Sequence, residues 1–229
     1  MENVNLLIGI PAYNEAKILG RVLKSLPRKI PGIANINVLV VDDGSTDGTA
    51  KVAESAGIIV ARHLINRGLG GALKTVFAYA RKNNFDFLVT MDADGQHDSQ
   101  DLTRILTPLI NKRNDVVIGS RWLKPNSAPF SRRFMNKLAN YVTLIFFGIS
   151  TTDSQSGFRA FNKKSIAAVN LQTDGMEVSS EIFREIISHK LSVREVPIKA
   201  IYTDYSKKKG QSLANAPNVL IQLLLRLLR

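Results

Sequence analysis

Cysteine is absent from the 229 residues, tryptophan occurs once and histidine three times. No disulfide framework or thiolate metal site is therefore possible, and a bound metal must take oxygen or imidazole ligands. A chain without cysteine suits a reducing compartment. Long apolar runs are missing too: the nearest, 142–149 and 219–228, fall short of the roughly 18 to 20 residues a membrane span requires. The opening Met1-Glu2-Asn3-Val4-Asn5 carries neither the basic flank nor the apolar core of a signal peptide. These absences predict a cytoplasmic protein that, where it meets a membrane, lies on its surface.

Acids are scarce where bases gather. Residues 121–140 hold Arg121, Lys124, Arg132, Arg133 and Lys137 with no acid, and 199–229 hold six basic residues against Asp204. The two stretches account for most of the net charge of +12. They fit an anionic partner (phosphate, nucleic acid or an acidic membrane surface), or simply a solvated basic face.

What is present is alternation. Short β-branched runs at 6–10, 38–41, 58–61, 87–91 and 116–119 read as strands, separated by helical periodicities after Asn14 and near 48–56, 70–83 and 99–112. Asn14 reads as the cap of the first helix. Beyond 120 come a helix near 131–148, a strand-like 157–161, a helix near 176–189 and a strand over 193–202. This pattern predicts an α/β domain with a mostly parallel central sheet, helices on both faces and ligands beyond the carboxyl ends of the strands.

Acidic and polar residues follow those strand ends: Pro11-Ala12-Tyr13-Asn14-Glu15, Asp42-Asp43-Gly44-Ser45-Thr46-Asp47, Asp92-Ala93-Asp94-Gly95-Gln96 and Ser120-Arg121. In an extended segment residues two apart share a side, so Asp92 and Asp94 can converge on one hard divalent cation, with Gln96 adding a carbonyl oxygen. The plainer reading is that Asp94 and Asp98 only cap turns and the helix from Ser99. Asp42 and Asp43 either receive hydrogen bonds from a nucleobase or ribose, or serve turn chemistry. Gly68-Leu69-Gly70-Gly71-Ala72-Leu73-Lys74-Thr75 is no Walker A loop, because Leu73 stands where that motif needs glycine. It lacks the third glycine of a dinucleotide fingerprint as well. The loop 153–159, DSQSGFR, gathers an acid, hydroxyls and a guanidinium, and His63, His97 and His189 show no metal spacing.

PAYNE at 11–15, VVDDGSTDGT at 40–49, NRGLGGAL at 66–73, MDADGQH at 91–97, GSR at 119–121 and DSQSGFRAF at 153–161 resemble family 2 glycosyltransferases. Within them the resemblance is to the polyprenyl-phosphate sugar transferases, such as dolichol-phosphate mannose synthase and the dolichol- or undecaprenyl-phosphate glucose synthases. It spans about 5–212 in order and spacing. It implies a GT-A fold, a nucleotide-diphospho-sugar donor, Mg²⁺ or Mn²⁺, and an acceptor that is itself a polyprenyl phosphate. Such a phosphate is largely dianionic at neutral pH and needs little help from a base.

The resemblance assigns Pro11, Ala12, Tyr13 and Glu15 to a nucleotide-binding loop, and Val41 and Asp43 to the base- and ribose-binding strand end. Asp92, Ala93, Asp94 and Gln96 fall at the metal and diphosphate site, and Arg121 in the donor pocket. Arg132, Arg133 and Lys207 match basic positions near the phosphates. Asp94, Arg121 and Asp153 are the expected catalytic residues, Asp153 being the first candidate base should the acceptor be a hydroxyl. Residues 1–212 are expected to form one domain, and 213–229 an amphipathic helix at a membrane interface. A sugar-phosphate nucleotidyltransferase would want a basic glycine-rich loop after the first strand, which PAYNE is not. A nucleic-acid-binding domain would explain the pI but not the acidic strand ends, so no nucleic-acid partner is expected.

Overall fold

The computed structural model describes residues 4–124 and 130–201. The chain runs through β1 (Asn5–Ala12), α1 (Ala16–Ser25), β2 (Asn35–Asp42), α2 (Thr49–Ser55), β3 (Ile59–Arg62), α3 (Leu69–Lys82), β4 (Phe87–Thr90) and α4 (Leu102–Ile110). It continues through β5 (Val116–Ser120), α5 (Phe130–Phe147), β6 (Arg159–Asn162), α6 (Lys163–Ala168), α7 (Val178–Ser188) and β7 (Val193–Pro197).

The described strands form one seven-stranded sheet in the order β3-β2-β1-β4-β6-β5-β7. Neighbours pair in parallel except β6, which runs antiparallel between β4 and β5. That reversal has a consequence for the site. Because β6 enters where its neighbours end, with Arg159 opposite both Thr90 and Ile118, the loop before it opens on their carboxyl edge.

The central strands are apolar on both faces, as a sheet covered on both sides requires. Leu6, Ile8 and Ile10 of β1 pack with Leu19 of α1 and Ile105 of α4, while Leu7 turns to Val76 and Phe77 of α3 and to Phe183 of α7. Helices therefore lie on both faces, as the alternation predicts.

Local detail departs from the sequence reading at several points. Asn14 does not cap α1: its backbone takes φ 54°, and its side-chain oxygen accepts instead from the Thr46 backbone N–H at 2.9 Å. The helix start is satisfied by the neighbouring loop, with the Glu15 N–H donating to Thr49 Oγ1 and that of Ala16 to Asp47 Oδ2. The 3₁₀ turn Ser99–Asp101 precedes α4 and is capped by Asp98, which accepts from the Gln100 N–H. Helix α6 escaped the periodicity because it has only six residues; Asn162 caps it by accepting from the Ser165 N–H. The segment 213–229, expected as an amphipathic helix, lies outside the described residues. Among the described residues no helix is long and apolar enough to cross a membrane.

Candidate active site

β4 ends at Thr90, and the chain then buries Met91 and Ala93 while leaving Asp92 and Asp94 nearer the surface. The alternation thus delivers both carboxylates to one edge. Asp92 Oδ2 meets His97 Nε2 at 3.0 Å. The His97 ring is buried against Phe158, with centroids 5.1 Å apart. Gly157 makes the close approach possible: a Cβ there would stand 2.2 Å from Asp92 Oδ1. The Gly157 carbonyl in turn accepts from Thr90 Oγ1 at 2.8 Å, tying the loop before β6 to the end of β4.

The two carboxylates are driven apart electrostatically. Burial works against charge on Asp92, yet the His97 hydrogen bond and ring, with Arg121 and Arg159, hold its carboxyl below the ordinary range. Asp94 moves the other way. Burial and then the Asp92 charge push its carboxyl up, despite His97 and the Gln96 donors. Asp94 also closes a turn, accepting from the Gln96 N–H at 2.9 Å. The Gln96 side chain donates its amide nitrogen to Asp94 Oδ2 rather than offering the carbonyl oxygen that the sequence reading assigned to a metal. Among the described residues no group of three or more acidic or histidine side chains converges as a ready metal site. The pair Asp92 and Asp94 nonetheless fits a hard cation: two carboxylates lie together, and burial and the Asp92 charge hold the Asp94 carboxyl up.

Two guanidinium groups flank the acids. Arg121, just past β5, is held by Asp153 in a fork: Nε to Oδ2 and Nη2 to Oδ1, both at 2.8 Å, with the Arg121 N–H on Oδ2 at 3.0 Å. Asp153 is wholly buried. This corrects its expected role: with both oxygens engaged, it positions Arg121 and does not face an acceptor as a base. Arg159 is almost wholly buried, donating to the carbonyl of Ser154 at 2.8 Å and lying over the Phe183 ring. Burial lowers it to about 10, against the pull of Asp153 and Asp92, so it stays cationic at neutral pH. A small cavity touches Pro11, Asp92, Gly157 and Arg159 together.

The other acidic pair is spent differently. Asp43 accepts from the N–H groups of Arg67 at 3.0 Å and Gly68 at 2.7 Å, and meets His63 Nδ1 at 2.6 Å. Its carboxylate organises the loop entering α3. Asp42 accepts from the Ser45 N–H and lies 3.4 Å from Arg62. The glycines before α3 admit the chain's own backbone: a Cβ on Gly70 would stand 2.2 Å from the Thr173 carbonyl oxygen. Lys74 pairs with Asp174 at 2.5 Å.

Of the remaining expected residues, Ala12 and Glu15 are buried and Tyr13 is exposed beside them. The Val41 side chain belongs to the core against α3. Arg133 is exposed on α5, the Arg132 side chain is not among those described, and Lys207 lies outside the described residues. Sequence reasoning gave no role to His97, Gly157 or Arg159. The available signal was the spacing of Gly157 and Arg159 in a strand entering the same edge, legible only once β6 is known to run antiparallel.

The family model for glycosyl transferase family 2 matches residues 7–169. The chain belongs to that family. Among its relatives is the UDP-N-acetylglucosamine–dolichyl-phosphate N-acetylglucosaminyltransferase of Methanococcus voltae, 33% identical over 238 residues, covering 94% of this chain and 93% of that protein. The polyprenol monophosphomannose synthase of Mycolicibacterium smegmatis is 30% identical over 228 residues, covering 92% and 83%. Among solved structures, glucosyl-3-phosphoglycerate synthase from Mycobacterium tuberculosis, in complex with Mn²⁺, UDP and glucosyl-3-phosphoglycerate, superposes with a TM-score of 0.76 at 18% identity, covering 98% of this chain and 79% of that one. That likeness speaks to the fold, and the fold is the GT-A arrangement the motifs imply.

Proposed function

We propose that the protein transfers a hexose, with inversion, from a nucleotide-diphospho-sugar of the GDP-mannose or UDP-glucose type to a polyprenyl phosphate, in a reaction that requires Mg²⁺ or Mn²⁺. The observation that carries this reading is the juxtaposition at one sheet edge of Asp92 and Asp94 with two guanidinium groups, Arg121 forked on buried Asp153 and Arg159 buried beneath. Acids alone would suit a cation, and cations alone an anion. Both together suit a metal-bound diphosphate beside a second phosphate.

In this reading Asp92 and Asp94 hold the cation, which when bound neutralises charge on the departing nucleotide diphosphate. His97 and Gly157 set the Asp92 carboxylate. Arg121, stiffened by its fork to Asp153, holds phosphate oxygens in a fixed orientation. No base is assigned, because the acceptor phosphate already carries the attacking negative oxygen. The loop 11–15 and the end of β2 frame the nucleoside, with Lys207 on the nucleotide-sugar and Arg132 and Arg133 near the acceptor phosphate. The names of the relatives, which print dolichyl phosphate and polyprenol, support the acceptor class. The protein then works peripherally on the cytoplasmic face of a membrane, with 213–229 as its interfacial element.

Incubation of the full chain with UDP-glucose, GDP-mannose or UDP-N-acetylglucosamine, Mg²⁺ or Mn²⁺, and a polyprenyl phosphate tests this. A phosphate-linked lipid sugar, lost on chelation, is expected. Transfer only to hydroxyl acceptors, or transfer indifferent to chelation, would overturn it.

A further inference from the structure

Helix α4 buries Ile105, Leu106 and Leu109 against the sheet and leaves its neighbouring face beside β7, the strand at the sheet's edge. On that face Arg104, Thr107, Pro108 and Asn111 follow i, i+3, i+4 and i+7, and they form one wall of a groove. The other wall is Arg194 and Val196, two residues apart on β7 and therefore on one side of it. Arg113 completes the lining, placed there by its backbone N–H, which donates to the Pro108 carbonyl at 3.0 Å. The groove holds about 270 Å³.

Three guanidinium groups line this space and no carboxylate does. From Leu102 to Asn114 the chain contains no acid, and the acids flanking the groove are engaged elsewhere. Glu195, on the opposite side of β7, accepts from the Thr151 hydroxyl and the Thr152 N–H. Asp115 accepts from Ser192, Asn162 and Lys164. Arg113 and Arg194 are exposed and have no acidic partner among the described residues. Arg104 has one, but its bonds to Asp101 and, at 3.2 Å, to the Pro197 carbonyl both come from Nη1. It is thereby fixed at one end of the groove with Nε and Nη2 available to a ligand.

A solvated basic face keeps its charges spread and needs no concavity; like charges gathered on one cavity repel until an anion enters. Phosphate suits this arrangement better than carboxylate, because a dianion with three terminal oxygens can engage several guanidinium forks at once. We propose that the groove between α4 and β7 is a second anion site, which takes a small phosphate-bearing molecule. Arg104, Arg113 and Arg194 hold the phosphate oxygens, and Pro108 and Val196 offer an apolar floor to whatever the phosphate carries. None of these residues belongs to the transfer site, so the inference stands apart from the proposed function.

The test is equilibrium binding of inorganic pyrophosphate and of glucose 1-phosphate to the full chain in EDTA, so that no metal bridges a phosphate to Asp92 and Asp94. Binding is expected at low salt and should weaken as salt rises. R113Q/R194Q should bind about tenfold more weakly or worse, and each single variant should lose part of the affinity. Without an anion the melting temperature of the double variant should hold or rise, since repulsion is relieved, and its thermal shift with UDP-glucose and Mn²⁺ should match that of the parent. Tighter binding of glucose 1-phosphate assigns the groove to a phosphate carried on an organic body, tighter binding of pyrophosphate to a free inorganic anion, and either result upholds the site. Equal affinity in parent and R113Q/R194Q overturns it, as does the lack of any binding at low salt. So does a marked fall in the melting temperature of the variant, which would mean that the two arginines serve the fold and not a ligand.

Discussion

Two acidic pairs end two parallel strands of one sheet, and the fold treats them as opposites. Asp42 and Asp43 after β2 are spent internally, Asp43 on His63 and two backbone N–H groups, Asp42 on Ser45 and Arg62. Asp92 and Asp94 after β4 receive hydrogen bonds from the His97 ring and the donors of Gln96, with Arg121 and Arg159 acting on Asp92 through charge, and burial and then the Asp92 charge push Asp94 up. A carboxylate's role is therefore set by how many donors the surrounding loops bring to it. The pair whose oxygens accept fewer hydrogen bonds is the one that can take a cation.

The strongest way to break this contrast is Asp94→Asn. An amide keeps the shape and the turn with Gln96 but removes a charged oxygen ligand, so transfer should fall roughly 100- to 1,000-fold. The melting temperature should hold or rise slightly, because the variant relieves repulsion with Asp92. Rates at saturating Mn²⁺, set beside thermal melts, check both halves. Near-normal metal-stimulated transfer would end the metal assignment.

Asp43→Asn should behave in the reverse manner. It leaves one acceptor oxygen but places an amide N–H where either the Arg67 N–H, on Oδ1, or the Gly68 N–H, on Oδ2, now donates. Stability should drop by about 1–3 kcal/mol, the cost of buried donors left unmatched. Donor affinity should weaken with the loosened loop, while the relative stimulation by metal is retained. Urea unfolding and a metal titration of residual activity separate the two; loss of metal response here would mean that the pairs are not distinct.

How much of this was legible depends on range. Strands and most helices follow from periodicity because each pattern is local: Leu6, Ile8 and Ile10 alternate with Leu7 whatever lies elsewhere. The acidic edge was legible too, since strand ends of a parallel sheet share a side. The fates of the acids were not. Asp43 receives donors from 24 and 25 residues away, Arg121 is forked by Asp153 across 32, and Gly157 leans on Asp92 only because β6 is antiparallel. Asn14 fails as a cap for the same reason, since Asp47 and Thr49 reach the helix start first. Short-range propensity proposes; contacts between distant residues choose.

A third carboxylate sharpens the comparison from outside the site. Asp115, at the start of β5, accepts from the Ser192 N–H and hydroxyl, from the Asn162 amide and from Lys164, joining β5 to β6 and β7. Burial opposes its charge, but these donors bring its carboxyl from 3.8 down to about 2. Since the folded value lies below the unfolded one, its stabilisation is complete above the unfolded value and drains away as pH falls through 3.8 towards 2. Lys164 is largely exposed, so the contribution is discounted for solvent to about 1–2 kcal/mol. Asp115→Asn should cost about that much in urea unfolding near pH 6, and the gap between variant and parent should shrink as pH falls below 3.8 and close only below about pH 2. Transfer at neutral pH should be unchanged in kcat, because nothing at the carboxyl edge touches this residue. A gap that persists in acid would mean that the charge of Asp115 is not what joins the strands.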